Sequence, residues 1–175
     1  MTTDKSDVLT EIIKGRRSIR AYKDAEVPRE LLMRILEAGQ WAPSPSNVQS
    51  WRFIVVQEAA GLNALKDLSP GFPRQATAAI VVCSNSTEMQ PFDEVTAAEE
   101  AVMAVENMSL MAHSLGLGTC PVVSFSRAGI KTLLEIPDHI RPIILVALGV
   151  PDETPAPPAR KPLSQIVSWE KYNGQ

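Results

Sequence analysis

Apolar residues first recur at helical spacing at Val8, Leu9, Ile12 and Ile13, after Ser6, which can cap a helix, and before Gly15, which closes it. The same period returns at Leu31, Leu32, Ile35 and Leu36, behind Pro28, a residue suited to a first helical turn. This second helix must stop before Ala42-Pro43-Ser44-Pro45-Ser46-Asn47-Val48-Gln49, where two prolines and small polar residues cannot continue it. Trp51–Val56 is short and β-rich and predicts a strand; residues 58–68 predict a short helix, broken by Ser69-Pro70-Gly71-Phe72-Pro73. Ala78–Cys83 and Ile143–Leu148 are unbroken apolar runs, the pattern of strands buried on both faces.

Between these two runs, a long helix is predicted from about Glu94 to Leu115, with Glu94, Glu99 and Glu100 in its first turns, as a helix N-terminus prefers. From Ala101 to Leu115 it is apolar on most sides, and such a helix requires burial all round. In a chain this short a subunit interface is the natural cover. Ser126 can cap a further helix through Leu133-Leu134. Beyond Gly149, prolines at 151, 155, 157, 158 and 162 predict an extended arm over 151–175, and Ile166-Val167-Ser168-Trp169 at its end calls for apolar cover, which a partner subunit can supply.

Length adds one inference: 175 residues are expected to form a single domain, 1–175, with the arm as an extension. At 45% hydrophobic and 21% charged the chain can build an ordinary core, and its net charge of −3 gives nucleic acid no general attraction. Cys83 and Cys120 match no metal-ligand spacing and only two histidines are present, so no metal is expected. The N-terminus lacks the order of a signal peptide and no apolar run reaches a bilayer's width, so the expected setting is cytoplasmic, with reduced thiols and no membrane.

The densest basic cluster of this acidic chain is Arg16-Arg17-Ser18-Ile19-Arg20, just past a helix end, where arginines can grip a phosphate through charge-assisted bidentate hydrogen bonds. One helix later the 42–49 loop offers neutral hydrogen-bonding groups held by prolines. Either alone reads as an ordinary surface turn; together they suit a ligand with one anionic end and an uncharged heteroaromatic or polyol part. Gly116-Leu117-Gly118 closes a helix and is followed by Pro121 where a dinucleotide fingerprint needs glycine, so that fold is excluded. A Cys120–His113 pair reads as packing, no Ser-centred motif exists, and no carboxylate pair stands out for acid–base work. Many binding groups and almost no reactive ones point to a protein whose cofactor carries the chemistry.

Four segments taken together, Arg16–Arg20, Ala42–Trp51, Gly116–Cys120 and Arg160-Lys161-Pro162-Leu163, resemble the nitroreductase family of FMN-dependent oxidoreductases, in that family's order and spacing from about Val8 to Trp169. The resemblance implies an α+β fold, a three-layer sandwich whose mixed, mostly antiparallel sheet is flanked by helices, in an interwoven homodimer with FMN at the interface. It implies that Arg16, Ser18 and Arg20 hold the phosphate and ribityl chain, with Arg17 near the pyrimidine end or the phosphate. Pro43, Ser44 and Ser46 of the second subunit would line the flavin, with Asn47 and Gln49 shaping that loop or touching the ring. Pro121, Val122, Val123 and Ser124 would face the isoalloxazine, a main-chain N–H of Val123 or Ser124 donating to N5, and Arg160 would return to the phosphate.

Two departures stand out: Ser50 precedes Trp51 where the family usually has proline, and Val123-Ser124 stand where many members have glutamate and glycine. The implied activity is ping-pong: NADH or NADPH reduces the flavin, and a flat acceptor such as a nitroaromatic or quinone reoxidises it. No catalytic side chain is required for this, and Phe72 and Phe92 are candidate walls of the substrate pocket. The alternatives are a specialised flavin enzyme on the same scaffold (deiodinase-, flavin-fragmenting- or azoline-oxidase-like) and a non-catalytic FMN-binding module.

Overall fold

In the computed structural model, which describes residues 4–85, 87–88 and 94–172, the first helix (α1, Lys5–Gly15) is capped by Asp4 rather than Ser6. The Asp4 carboxylate accepts the Ser6 N–H at 3.1 Å, so the helix begins slightly earlier than its apolar stripe. α2 (Arg29–Gln40) starts behind Pro28 and ends before the Pro43–Pro45 loop. There follow β1 (Trp51–Val56), α3 (Ala59–Leu68), β2 (Ala78–Asn85), α4 (Glu94–Ser114), β3 (Gly118–Val122), α5 (Arg127–Leu133) and β4 (Ile140–Gly149). Ser126 caps α5 as expected, its hydroxyl accepting the Gly129 N–H at 3.2 Å.

The described strands form one sheet in the order β1-β2-β4-β3, every ladder antiparallel. Among the described residues, parallel pairing is confined to a bridge between Ser18 and Thr119. The two-residue period of a strand sorts β2 to opposite faces. Val81 and Cys83 pack with Leu62 and Leu65 of α3 and Ile130 of α5, whereas Ile80 and Val82 pack with Ile35 of α2 and Val105 and Met108 of α4. The result is the expected helix–sheet–helix sandwich.

β3 is the strand that the hydrophobic pattern does not reveal. It is short and carries Pro121, which is tolerated because β3 ends the sheet order and a proline at an edge costs no ladder bond on its open side. Outside it lies the Ser18–Tyr22 segment: the Ile19 N–H donates to Thr119 O at 2.9 Å. Gly118 makes this approach possible, since a Cβ there would sit 2.7–2.9 Å from three atoms of the branched Ile19 side chain. Gly118→Ala should therefore displace the basic segment and cost about 1–3 kcal/mol of stability. A thermal-denaturation midpoint equal to wild type would show that the segment is not held this way.

Among the described residues, exposed apolar side chains include groups on α4 and along the arm. On α4, Val95, Val102 and Met103 are exposed, Val102 by 53%. Along the arm, Leu163, Ile166, Val167, Trp169 and Tyr172 are exposed, Trp169 by 81%.

Candidate active site

The end of α1 packs on the last turns of α4. Arg16 Nε lies 3.2 Å from Glu106 Oε1, and Arg17 Nη1 donates to the carbonyls of Lys14 at 2.6 Å and Arg16 at 2.8 Å, tying down the helix terminus. The Nε atoms of both arginines are buried without a hydrogen-bond partner among the described residues; Arg16 Nε is within ion-pair reach of Glu106 but not aligned for a hydrogen bond. Beside them is a cleft of about 250 Å³ lined by Arg16, Arg17, His113, Thr119 and Glu153. Two arginines on the wall of such a cleft, each with a buried Nε that makes no hydrogen bond among the described residues, fit the phosphate end of an anionic cofactor.

Glu153, at the root of the arm, accepts the backbone N–H groups of Arg20 and Ala21, which hold its carboxyl below the usual carboxylate range. The Arg20 side chain itself is exposed. Arg160 lies far along the arm, where among the described residues its guanidinium bonds only the carbonyl of Ala159, at 3.4 Å.

At the end of β3 and just beyond it, Pro121, Val123 and Ser124 are exposed, whereas Val122 is buried in the core on the α3/α5 side, so Val122 can offer a ligand only its main chain. Pro121 has no N–H to give. The turn is fixed from the 69–72 loop: Ser69 Oγ donates to Ser124 O at 2.9 Å, and a Cβ on Gly71 would stand 2.7 Å from Ser124 Oγ. Phe72 in the same loop is 4% exposed and sits inside the core, a correction to its expected place on a pocket wall: its ring fills the space against α3 and the sheet. Phe92 lies outside the described residues.

The polar loop is built differently. Ser46, Asn47 and Gln49 adopt left-handed φ values of 50°, 58° and 54°, an unusual density for residues that carry a Cβ. Ser44 Oγ accepts the Gln49 N–H at 3.1 Å, and Pro43, Ser46, Asn47 and Gln49 are exposed. The loop's exit is clamped by Glu100, which is 1% exposed and accepts the Trp51 N–H and the Ser50 hydroxyl, each at 3.2 Å. Ser50 Oγ also lies 2.8 Å from Ser84 Oγ, so the serine standing in place of the family's proline is itself part of the clamp. Glu100 is thus no surface charge for the helix dipole, as its sequence position suggested.

The register shows where the two halves lie. Trp51, at the loop's exit, is level with Ser84 and Arg141, whereas Thr119 pairs with Leu148 and bridges Ser18. The basic segment and the polar loop are therefore at diagonally opposite corners of the sheet, roughly 30 Å apart at ordinary strand spacing and rise. One chain brings Arg16, Arg17 and Ser18 together with β3 and the turn after it; it does not bring the 43–49 loop to them.

Sequence reasoning missed His113 and Glu153 as cleft residues. His113 was visible only as a packing residue seven places before Cys120, because nothing in the sequence says that the end of α1 lies against the end of α4. Neither cysteine is an activated nucleophile: burial pushes the Cys83 thiol up to about 12 and also raises Cys120. Cys120→Ser should leave the turnover of the folded protein within about twofold of wild type in a steady-state assay; abolished turnover would make the thiol essential.

The nitroreductase family model matches residues 13–70 and 59–150. The chain belongs to this family. A Methanothermobacter thermautotrophicus protein, provisionally named NADH dehydrogenase/NAD(P)H nitroreductase, is 39% identical over 158 residues, covering 86% of this chain and 81% of its own. The FMN reductase [NAD(P)H] of Bacillus subtilis is 30% identical over 190 residues, covering 95% and 76%. Among solved structures, a nitroreductase family protein of Clostridium difficile superposes with a TM-score of 0.82 at 31% identity, covering 93% of this chain and 98% of that one. With the family come the expected fold class and the class of enzyme, an oxidoreductase. Among the described residues, no helix is long and apolar enough to cross a membrane.

Proposed function

We propose that this nitroreductase family member is an FMN-dependent oxidoreductase that takes electrons from NADH or NADPH and passes them, in a separate half-reaction, to flat acceptors such as nitroaromatics or quinones. The observation that carries this reading is the cleft with the two buried guanidinium Nε atoms of Arg16 and Arg17, placed on the same sheet edge as the turn after β3. The names of the relatives, an FMN reductase among them, support the cofactor and the donor.

In this reading Arg16, Ser18 and Arg20 hold the phosphate and the ribityl chain, Arg17 stands near the phosphate, and main-chain N–H groups of Val123 and Ser124 face the ring. Bound FMN supplies the chemistry, hydride acceptance from the nicotinamide and delivery of electrons to the acceptor. The chain contributes binding, orientation and exclusion of water. No side chain of the cleft must act as acid or base.

A homodimer completes the site. Pro43, Ser44, Ser46, Asn47 and Gln49 lie at the wrong corner of their own sheet, so a second copy must present them. The uncovered faces of α4 and of the arm provide apolar surface for that contact, and the arm is the means by which Arg160 returns to a phosphate.

The test is the absorption spectrum of the purified protein, followed anaerobically on adding NADH and then NADPH. A flavin band that bleaches, and returns when a quinone is supplied, is the expected result and names the donor. A protein that takes up no FMN, or whose bound FMN neither nicotinamide reduces, overturns the proposal.

A further inference from the structure

We propose that His113 is a proton-dependent phosphate ligand of this cleft, joining Arg16 and Arg17 on the anionic end of the cofactor, so that its own contribution to holding phosphorylated flavin grows as the pH falls. The inference rests on the flavin reading above and adds to it a residue and a regulation that its arginines do not supply.

His113 stands in the last turn of α4, half-buried, on the wall of the cleft that also presents Arg16 and Arg17. It is held against the end of α1: a Cβ on Gly15 would come within 2.6 Å of His113 Nε2, so glycine is what lets the imidazole lie there, directly before the first arginine. The charged groups around it come from three elements. The end of α1 brings Arg16 and Arg17; α4 itself brings Glu106, paired with Arg16; the arm brings Glu153, engaged by the Arg20 and Ala21 N–H groups. β3 adds only uncharged Thr119.

In the structure His113 is held below its ordinary 6.5, first by burial and then by Arg17 and Arg16. A phosphate dianion offsets the two guanidinium charges and so favours the imidazolium, as does the C-terminal end of the helix. The folded protein therefore takes up a proton as it takes up phosphate. Affinity must rise as pH falls from the bound-state value of His113 toward its lower free-state value. The second ionisation of the phosphate, near about 6, acts in the opposite direction, so the contribution of His113 has to be read as a difference between proteins.

The experiment titrates FMN and riboflavin, which lacks the phosphate, into the full-length chain freed of flavin. Wild type is compared with His113→Asn and His113→Gln between about pH 8 and 5.5. For FMN, the ratio of variant Kd to wild-type Kd should be near one at the alkaline end and widen to about five- to tenfold at the acid end, one proton allowing at most about tenfold per pH unit. For riboflavin the ratio should stay flat, which also shows that the variants are folded. An FMN ratio independent of pH, or one that riboflavin reproduces, overturns the role of His113 while leaving the flavin site standing. Failure of wild type to bind either flavin overturns the flavin reading and this inference together.

Discussion

Alanine at both Arg16 and Arg17 should give a protein that folds normally and purifies without flavin. In the proposed site each arginine would offer the cofactor a charge-assisted contact of about 1–3 kcal/mol, so losing the pair should weaken FMN binding by at least about 30-fold. The cost to the fold is far smaller. The Arg16–Glu106 pair is half-exposed on its Glu106 side, and such pairs contribute about 0–1 kcal/mol. Among the described residues Arg17 bonds only the carbonyls of Lys14 and Arg16 at the end of α1, an exposed helix whose fraying leaves the sheet untouched. Calorimetric titration with FMN and a thermal melt separate the two effects: affinity collapses while the melting midpoint moves by a few degrees. Wild-type flavin content in the double variant would remove the phosphate assignment, whatever else the cleft does.

Arg16 and Arg17 belong to the part of the site that is legible in the sequence, and the reasons why other parts are not are physical. The basic cluster and the polar loop are each contiguous in sequence, so their chemistry can be read directly. The apolar runs of β2 and β4 and the period of α2 and α4 likewise mark the middle layer and one helical layer, because burial on both faces leaves no room for polar residues. What escapes depends on contacts between distant segments. β3 is recognisable only once Ser18–Tyr22 and β4 flank it, since Gly118 and Pro121 are poor strand residues taken alone. Glu100 looks like a dipole charge because its neighbours are acidic; its burial follows from the Trp51 N–H that needs an acceptor at the start of β1. Phe72 looks free to line a pocket because it stands in a Gly/Pro-rich break, yet that break folds back over the core. His113 cannot be placed beside Arg16 without knowing how α1 meets α4.

The separation of the basic segment from the polar loop, roughly 30 Å across the sheet, leads to the second large effect expected of the proposed dimer. Val102→Glu combined with Met103→Glu, on the uncovered face of α4, should yield a monomer with no bound flavin, although neither residue belongs to the cleft. Both side chains are exposed in the single chain, so the substitutions should alter the stability of a monomer by no more than about 0.5 kcal/mol each. In a symmetric dimer the same carboxylates would be buried opposite an apolar surface, and a charge left there without a partner costs several kcal/mol, enough to dissociate most dimers at micromolar concentration. Loss of the partner removes the 43–49 loop from each site and leaves the arm with nothing to cover. Light scattering on a sizing column, with absorbance read at the flavin band, measures both consequences in one run. Dimers that keep their flavin would show that this face of α4 is not the contact. Monomers that keep a full complement of flavin would show that one chain suffices, and the opposite corner of the sheet would then have no part in holding the cofactor.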